Sequence, residues 1–190
     1  MSFKFELDWG PGSQPRIEGG AYIGDYKPQP YLLCGHLDRI VRYNSELFVM
    51  DRKTTTMTLG DYYFAQFEPN NQMTLYTIAG KVVLGTTIRG VIIDAAQVLV
   101  TESKFQRSFT YRTEDGLQEW LHSLKSLLAQ AEQYATENFW PMNDTACDKF
   151  GGCRFRDVCS KSPRVRENFL KGSFKQLDPA DRWNPLRSRG

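Results

Sequence analysis

Two aspartates and a lysine carry the densest chemistry in this 190-residue chain. Gly35-His36-Leu37-Asp38 belongs to one strand-like run and Phe48-Val49-Met50-Asp51-Arg52-Lys53 to the next. Asp51 and Lys53 are two apart, so on a strand both side chains leave the same face. Asp38, on the neighbouring strand of a hairpin, can meet them there. Two carboxylates and one ammonium are costly to hold together unless a further cation joins them. Hard oxygen ligands of this kind suit Mg²⁺ or Mn²⁺. The lysine can then orient an attacking water or stabilise charge on a phosphoryl oxygen. A surface hairpin with an ordinary salt bridge uses the same residue types. The metal reading is favoured by the place of Asp51 and Lys53, at the polar end of an apolar strand.

The elements that must position these groups follow from periodicity and punctuation. FKFEL near the N-terminus reads as a short strand, followed by a Gly/Pro-rich stretch to residue 30. The runs Tyr31–Tyr43 and Leu47–Asp51, separated by Asn44-Ser45-Glu46, predict a hairpin. Glu68-Pro69-Asn70-Asn71 breaks the chain and starts a helix. From Gln72 to Leu84, Met73, Leu75, Ile78, Ala79, Val82 and Val83 suit a buried helix. Residues 88–100 and the segment FQRSFTYRT read as strands. Thr113 caps a long helix to about Phe139, with Leu117, Trp120, Leu121, Leu124, Leu127 and Leu128 as its core stripe. Trp140-Pro141 ends it. The order predicts an α/β domain with a mixed central sheet flanked by helices, then a C-terminal cysteine-rich, metal-binding tail. Residues 1–140 form the core and 141–190 the cysteine segment and a basic tail, loosely ordered or wrapped over the domain.

Composition sets bounds. Apolar residues make up 41% and charged residues 24%, near the globular average, so a real core is expected without disulfides. No apolar run approaches a membrane span, and MSFKFELDWGPG lacks the apolar centre of a secretory signal. A cytoplasmic, reducing setting is expected. A net charge of +2 does not announce a nucleic-acid binder, so local charge must carry that argument. No phosphate-binding G-x-x-x-x-G-K-[ST], no G-x-S-x-G and no H-E-x-x-H occurs. The two histidines, His36 and His122, are too few for a typical histidine metal site.

G-x-x-D at 35–38, D-x-K-T-T at 51–55 and Q-x-x-x-Y at 72–76, in this order, resemble the PD-(D/E)XK nuclease superfamily. More narrowly they resemble its RecB-like exonuclease branch, with the CRISPR-associated exonucleases and phage-encoded relatives. The resemblance spans residues 31–160 and implies a restriction-endonuclease-like fold. It also implies that Asp38, Asp51 and the backbone carbonyl of Arg52 ligate a divalent metal and that Lys53 is the catalytic lysine. Gln72 and Tyr76, four apart on one helix face, would act beside the site, towards DNA. His36 could face the site, although a plain strand histidine is the simpler reading. Members of this branch carry an N-terminal helical segment with a further metal-binding residue. That segment is absent here or replaced by another residue, with Glu6 and Glu18 as candidates.

Cys147, Cys153 and Cys159 fall close together around Gly151-Gly152. Soft thiolates select an iron–sulfur cluster or zinc. The segment resembles the C-terminal iron–sulfur motif of the same branch, which takes a fourth, upstream cysteine; Cys34 is the one available. Such a cluster would clasp the tail to the core. Buried or free thiols are the alternative. Positive charge gathers at the hairpin (Arg39, Arg42, Arg52, Lys53) and in the tail, from Lys149 and Arg154 to Lys171 and Lys175. It suits phosphate contacts, with Tyr62, Tyr63, Trp140, Phe150 and Phe155 as stacking candidates.

The reading is a Mg²⁺- or Mn²⁺-dependent deoxyribonuclease, an exonuclease on DNA ends or single strands. It would work in recombination, replication or DNA processing in a bacterium or phage-infected cell, with a helicase or recombination partner. The alternative is a catalytically silent DNA-binding or assembly module of the same fold.

Overall fold

The apolar run Leu47–Met50 and the polar run after it form one long central strand in the computed structural model, which describes residues 1–7, 17–18, 21–22 and 31–178. The chain divides into two compact units. The second holds 17–18, 21–22 and 130–178, and the first holds the other described residues.

In the first unit the order is β1 (Ser2–Leu7), β4 (Tyr31–His36), β5 (Arg39–Tyr43), β6 (Glu46–Thr55), α1 (Asp61–Ala65), α2 (Asn71–Leu84), β7 (Gly90–Val98), β8 (Ser103–Tyr111) and most of α3 (Glu114–Thr136). Strands β2 (Ile17–Glu18) and β3 (Ala21–Tyr22) belong to the second unit. Strands β5-β6-β7-β8 form a mixed sheet in that spatial order. β5 and β8 are antiparallel to their neighbours, and β6 and β7 are parallel. A parallel pair needs a crossover, and α1 and α2 supply it.

Strand alternation sorts the central residues. Val49, Asp51 and Lys53 share one face, opposite Val91, Ile93 and Ala95 of β7. Against that face packs the main core: Val49, Val91, Ile93 and Ala95 with Met73 and Ala79 of α2, Tyr63 and Phe67. Gly80 lets α2 come close, since a Cβ there would meet Ile88 Cγ1 at 2.9 Å and Val49 Cγ2 at 3.0 Å. The other face buries Phe48, Met50 and Ile92 beside Val41 and Phe109. It also directs Arg52 away from Asp51, towards Asp94, which Arg107 holds at 2.7 Å.

Four expectations are corrected. The run Tyr31–Tyr43 is two strands: β4 pairs with β1 in its own two-stranded sheet, and β5 pairs with β6. The break at Leu37-Asp38 takes Asp38 out of strand pairing. The α3 stripe is core only in part, with Trp120, Leu121, Leu124 and Leu128 half-buried. Leu117 alone of that helix is buried, and Leu127 is 62% exposed. Of the stripe, Leu121 lines a cleft of about 710 Å³ whose walls include Phe5, Leu7 and Ile78. α3 ends at Thr136, and Asn138 turns left-handed at φ 50°. The tail is not loose throughout: α5 (Pro163–Ser173) begins with Pro163 at its first turn, where a missing N–H costs nothing.

The second unit carries 3₁₀ turns at Asp144–Ala146 and Lys149–Gly151, then α4 (Arg156–Cys159) and α5. Val158 is buried, and Phe155 stacks on Phe174 at 5.0 Å. The Gly/Pro-rich stretch outside β2 and β3, and residues 179–190, lie outside the described residues. Among those described, no helix is long and apolar enough to cross a membrane.

The β5–β6 turn is Asn44-Ser45, with φ 46° and 65°. Both central residues are left-handed, as a twist-matched two-residue hairpin requires, and serine is strained there. Ser45→Gly should therefore stabilise the protein by about 1 kcal/mol, seen as a melting temperature higher by about 2–4 °C. A lower melting temperature would contradict this turn geometry.

Candidate active site

The β5–β6 ladder ends at the pair Arg39–Met50. The next N–H on that edge of β6, from Arg52, has no strand to bond. Asp38, just before β5, fills the gap: its Oδ2 accepts from Arg52 N at 2.9 Å. The N–H and C=O of one strand residue leave by the same edge, so the Arg52 carbonyl shares the edge that Asp38 occupies.

Asp51 sits one residue back, pointing into the helix-covered face, and is 3% exposed. Lys53 Nζ stands 2.9 Å from its Oδ2. Oδ2 is buried, so this ion pair is what offsets its lost hydration. Burial pushes the Asp51 carboxyl above its ordinary value, Lys53 draws it back, and the charge of Asp38 adds to the rise.

Helix α2 supplies the opposite wall. Asn70 caps it, its side chain accepting from Gln72 N at 3.0 Å and Met73 N at 3.3 Å. The first turn thus presents Gln72, whose Oε1 accepts from Lys53 Nζ at 2.8 Å. Gln72 Nε2 donates to the Tyr76 hydroxyl at 2.9 Å, one turn along the same face. Burial raises the Tyr76 phenol, with both aspartates adding to the rise and the Gln72 contact opposing it. Tyr76 is therefore a neutral hydroxyl at neutral pH.

Asp38, Asp51, Lys53, Gln72 and Tyr76, all singled out in the sequence, come together around the end of β6. The donor set fits a hard divalent cation: two carboxylates and a strand-edge carbonyl gathered at one end of β6. His36 is engaged elsewhere, its Nδ1 2.9 Å from Ser2 Oγ. Glu6 lies on β1 opposite Leu32; the side chain of Glu18 lies outside the described residues. Tyr63, expected to stack on bases, is 4% exposed and cannot. It is core, close enough for the Asp51 charge to raise its phenol after burial has done so. Tyr62, Trp140 and Phe155 are exposed. Several of the basic groups are already engaged: Arg52 with Asp94, Arg156 with Asp148, and Arg166 with the carbonyls of Lys161 and Cys159.

The cysteines do not form the expected ligand set. All four are free, and no group of three or more His, Cys, Asp or Glu among the described residues could hold a metal ion. Their segment closes instead on backbone bonds, Cys153 N to Cys147 O at 2.9 Å and Cys159 N to Phe155 O at 3.0 Å. Cys34 pairs with Lys4 across β1 and β4. As placed, these residues do not fit an iron–sulfur cluster or zinc.

Sequence reasoning passed over Arg112 and Thr74, which brace α2 from behind. Their only signal is a polar pair at positions that face the sheet-to-helix seam.

Residues 2–160 match the family model of the PD-(D/E)XK nuclease superfamily. No curated protein and no solved structure matches the chain.

A carboxyl raised by folding stabilises the fold below its unfolded value, and that stabilisation is lost as pH rises through the folded value. With chelator present, raising the pH above the unfolded carboxyl value thus weakens the fold at Asp51. Asp51→Asn should melt higher than wild type at pH 7, by at least about 2 °C, the shift that roughly 0.5–1 kcal/mol gives at this size. The gap should close as pH falls to about 4, near the unfolded carboxyl value. A variant melting no higher at pH 7 would contradict the burial argument.

Proposed function

This chain belongs to the PD-(D/E)XK nuclease superfamily, and from that premise we propose that it is a divalent-metal-dependent deoxyribonuclease of the RecB-like branch, acting on DNA ends. The observation that carries the reading is the convergence of Asp38, the buried Asp51 and Lys53 at one end of β6, with Lys53 Nζ 2.9 Å from Asp51 Oδ2. A buried anion of this kind is kept where a cation completes it.

Asp38, Asp51 and the Arg52 carbonyl would hold the ion, which supplies Lewis-acid charge beside a phosphodiester. Asp38 does its part from a fixed position, because its second role is to cap the β6 edge. Lys53 can donate to a phosphoryl oxygen or to the attacking water. Gln72 holds that ammonium from the helix side, so its reach towards substrate is set by α2. The neutral Tyr76 hydroxyl, bonded to Gln72, is a further donor for a phosphate oxygen. The end-directed mode rests on the ordered motifs at 35–38, 51–55 and 72–76 and their likeness to that branch. The cysteine segment enters only through its sequence likeness to the branch's iron–sulfur motif, and no step is assigned to it.

With Mg²⁺ or Mn²⁺ the purified protein should degrade linear DNA and leave covalently closed circles intact, and EDTA should stop it. Asp51→Ala and Lys53→Met should each lower the rate by about 10²–10³-fold, the loss expected when a charge-stabilising group is removed. Failure to cleave any form of DNA, or variants as active as wild type, would overturn the proposal.

A further inference from the structure

The first turn of α2 is held from behind by a half-buried arginine. We propose that Arg112 is a positioning residue: it clamps the start of α2 to the end of β8 and so sets where Gln72 holds the Lys53 ammonium. The inference rests on the nuclease reading for its kinetic consequence but not for its geometry.

Arg112 lies just past β8, and its side chain is 10% exposed. Nε donates to Thr74 Oγ1 at 2.9 Å, and Nη2 donates to Phe67 O at 3.0 Å. Nη1 donates to Tyr111 O at 2.7 Å and to Thr110 Oγ1. One planar fork therefore ties three pieces of chain: the end of β8, the bend before α2 and the first turn of α2. The hydrogen bonds continue towards the site. Thr74 Oγ1 donates onward to Asn70 O at 3.0 Å, and Asn70 is the residue whose side chain accepts from Gln72 N. Through Thr74 and Asn70 the bonds reach the backbone N–H of Gln72, the residue whose side chain meets Lys53.

Charge does not account for Arg112. Burial lowers its basicity, and the nearby Glu68, 3.8 Å away and exposed, only partly offsets this. A cation is also unfavourable beside the first turn of a helix. What arginine offers is a rigid, planar set of donors that a lysine lacks. An apolar side chain could fill the space, but it would leave the Phe67 carbonyl and the Thr74 hydroxyl without this partner.

The test compares wild type, Arg112→Lys and Ile92→Ala. Ile92 lies in the cluster on the opposite sheet face, so its variant controls for loss of stability alone. Rates are measured below the melting temperature of each. In parallel, the Gln72 side-chain amide is followed by ¹⁵N NMR after glutamine labelling, assigned by its loss in Gln72→Met. The clamp predicts that Arg112→Lys lowers kcat by at least about tenfold with KM within about twofold, the result of losing an interaction made in the transition state. It also predicts that the Gln72 amide signal moves, while Ile92→Ala changes neither. An unmoved amide in Arg112→Lys, an unchanged kcat, or the same changes in Ile92→Ala would each overturn the clamp. If the wild type cleaves no DNA, the nuclease reading fails and the amide signal alone decides for or against the clamp.

Discussion

The structure turns on one buried carboxylate. Asp51 occupies a position on the central strand that alternation assigns to the core, between Val49 and Lys53 and opposite Ile93. A carboxylate there loses its water and gains the Lys53 ion pair in return. Such a group is unfavourable for folding unless charge is delivered to it. The surrounding features bring charge and donors to that carboxylate.

Each feature has a structural cause that precedes its chemistry. β5 stops at Arg39, which leaves a bare strand edge and gives Asp38 a backbone amide to hold. β6 and β7 run parallel, which forces the chain through a crossover and puts α2 on the Asp51 face. The close approach at Gly80 seats α2 against Val49, two residues from Asp51. The Asn70 cap then fixes which residue of the first turn reaches Lys53. The two faces of β6 are divided in the same way: Lys53 serves the site, while Arg52, its neighbour, crosses to Asp94 on the other side.

Much of this was legible in the sequence because it depends on local rules. A two-residue period places Asp51 with Lys53, a four-residue spacing places Gln72 with Tyr76, and an asparagine before a helix reads as its cap. The ordered motifs gave the family, which the match over residues 2–160 bears out. What local rules could not give was partnership. The run Tyr31–Tyr43 looks continuous, and only its two different partners, β1 and β6, show why it breaks at Asp38. The α3 stripe has the right period for a core, but period does not say whether anything covers it, and Leu127 stands in the open. Tyr63 looked like a stacking platform and is core, because burial depends on α1, a short helix without periodic signal. Arg112 was silent for the opposite reason: one arginine after a strand is unremarkable until its acceptors, far away in sequence, are known.

The central claim is that Asp38 and Asp51 together form a seat for a divalent ion, and a titration of Mn²⁺ into the chelator-treated protein, read by electron paramagnetic resonance, tests it without requiring turnover. A single saturable ion per chain, weakened about tenfold or more by Asp38→Asn and by Asp51→Asn, is the predicted outcome. Equal affinity in wild type and both variants, or no saturable ion at all, would contradict it.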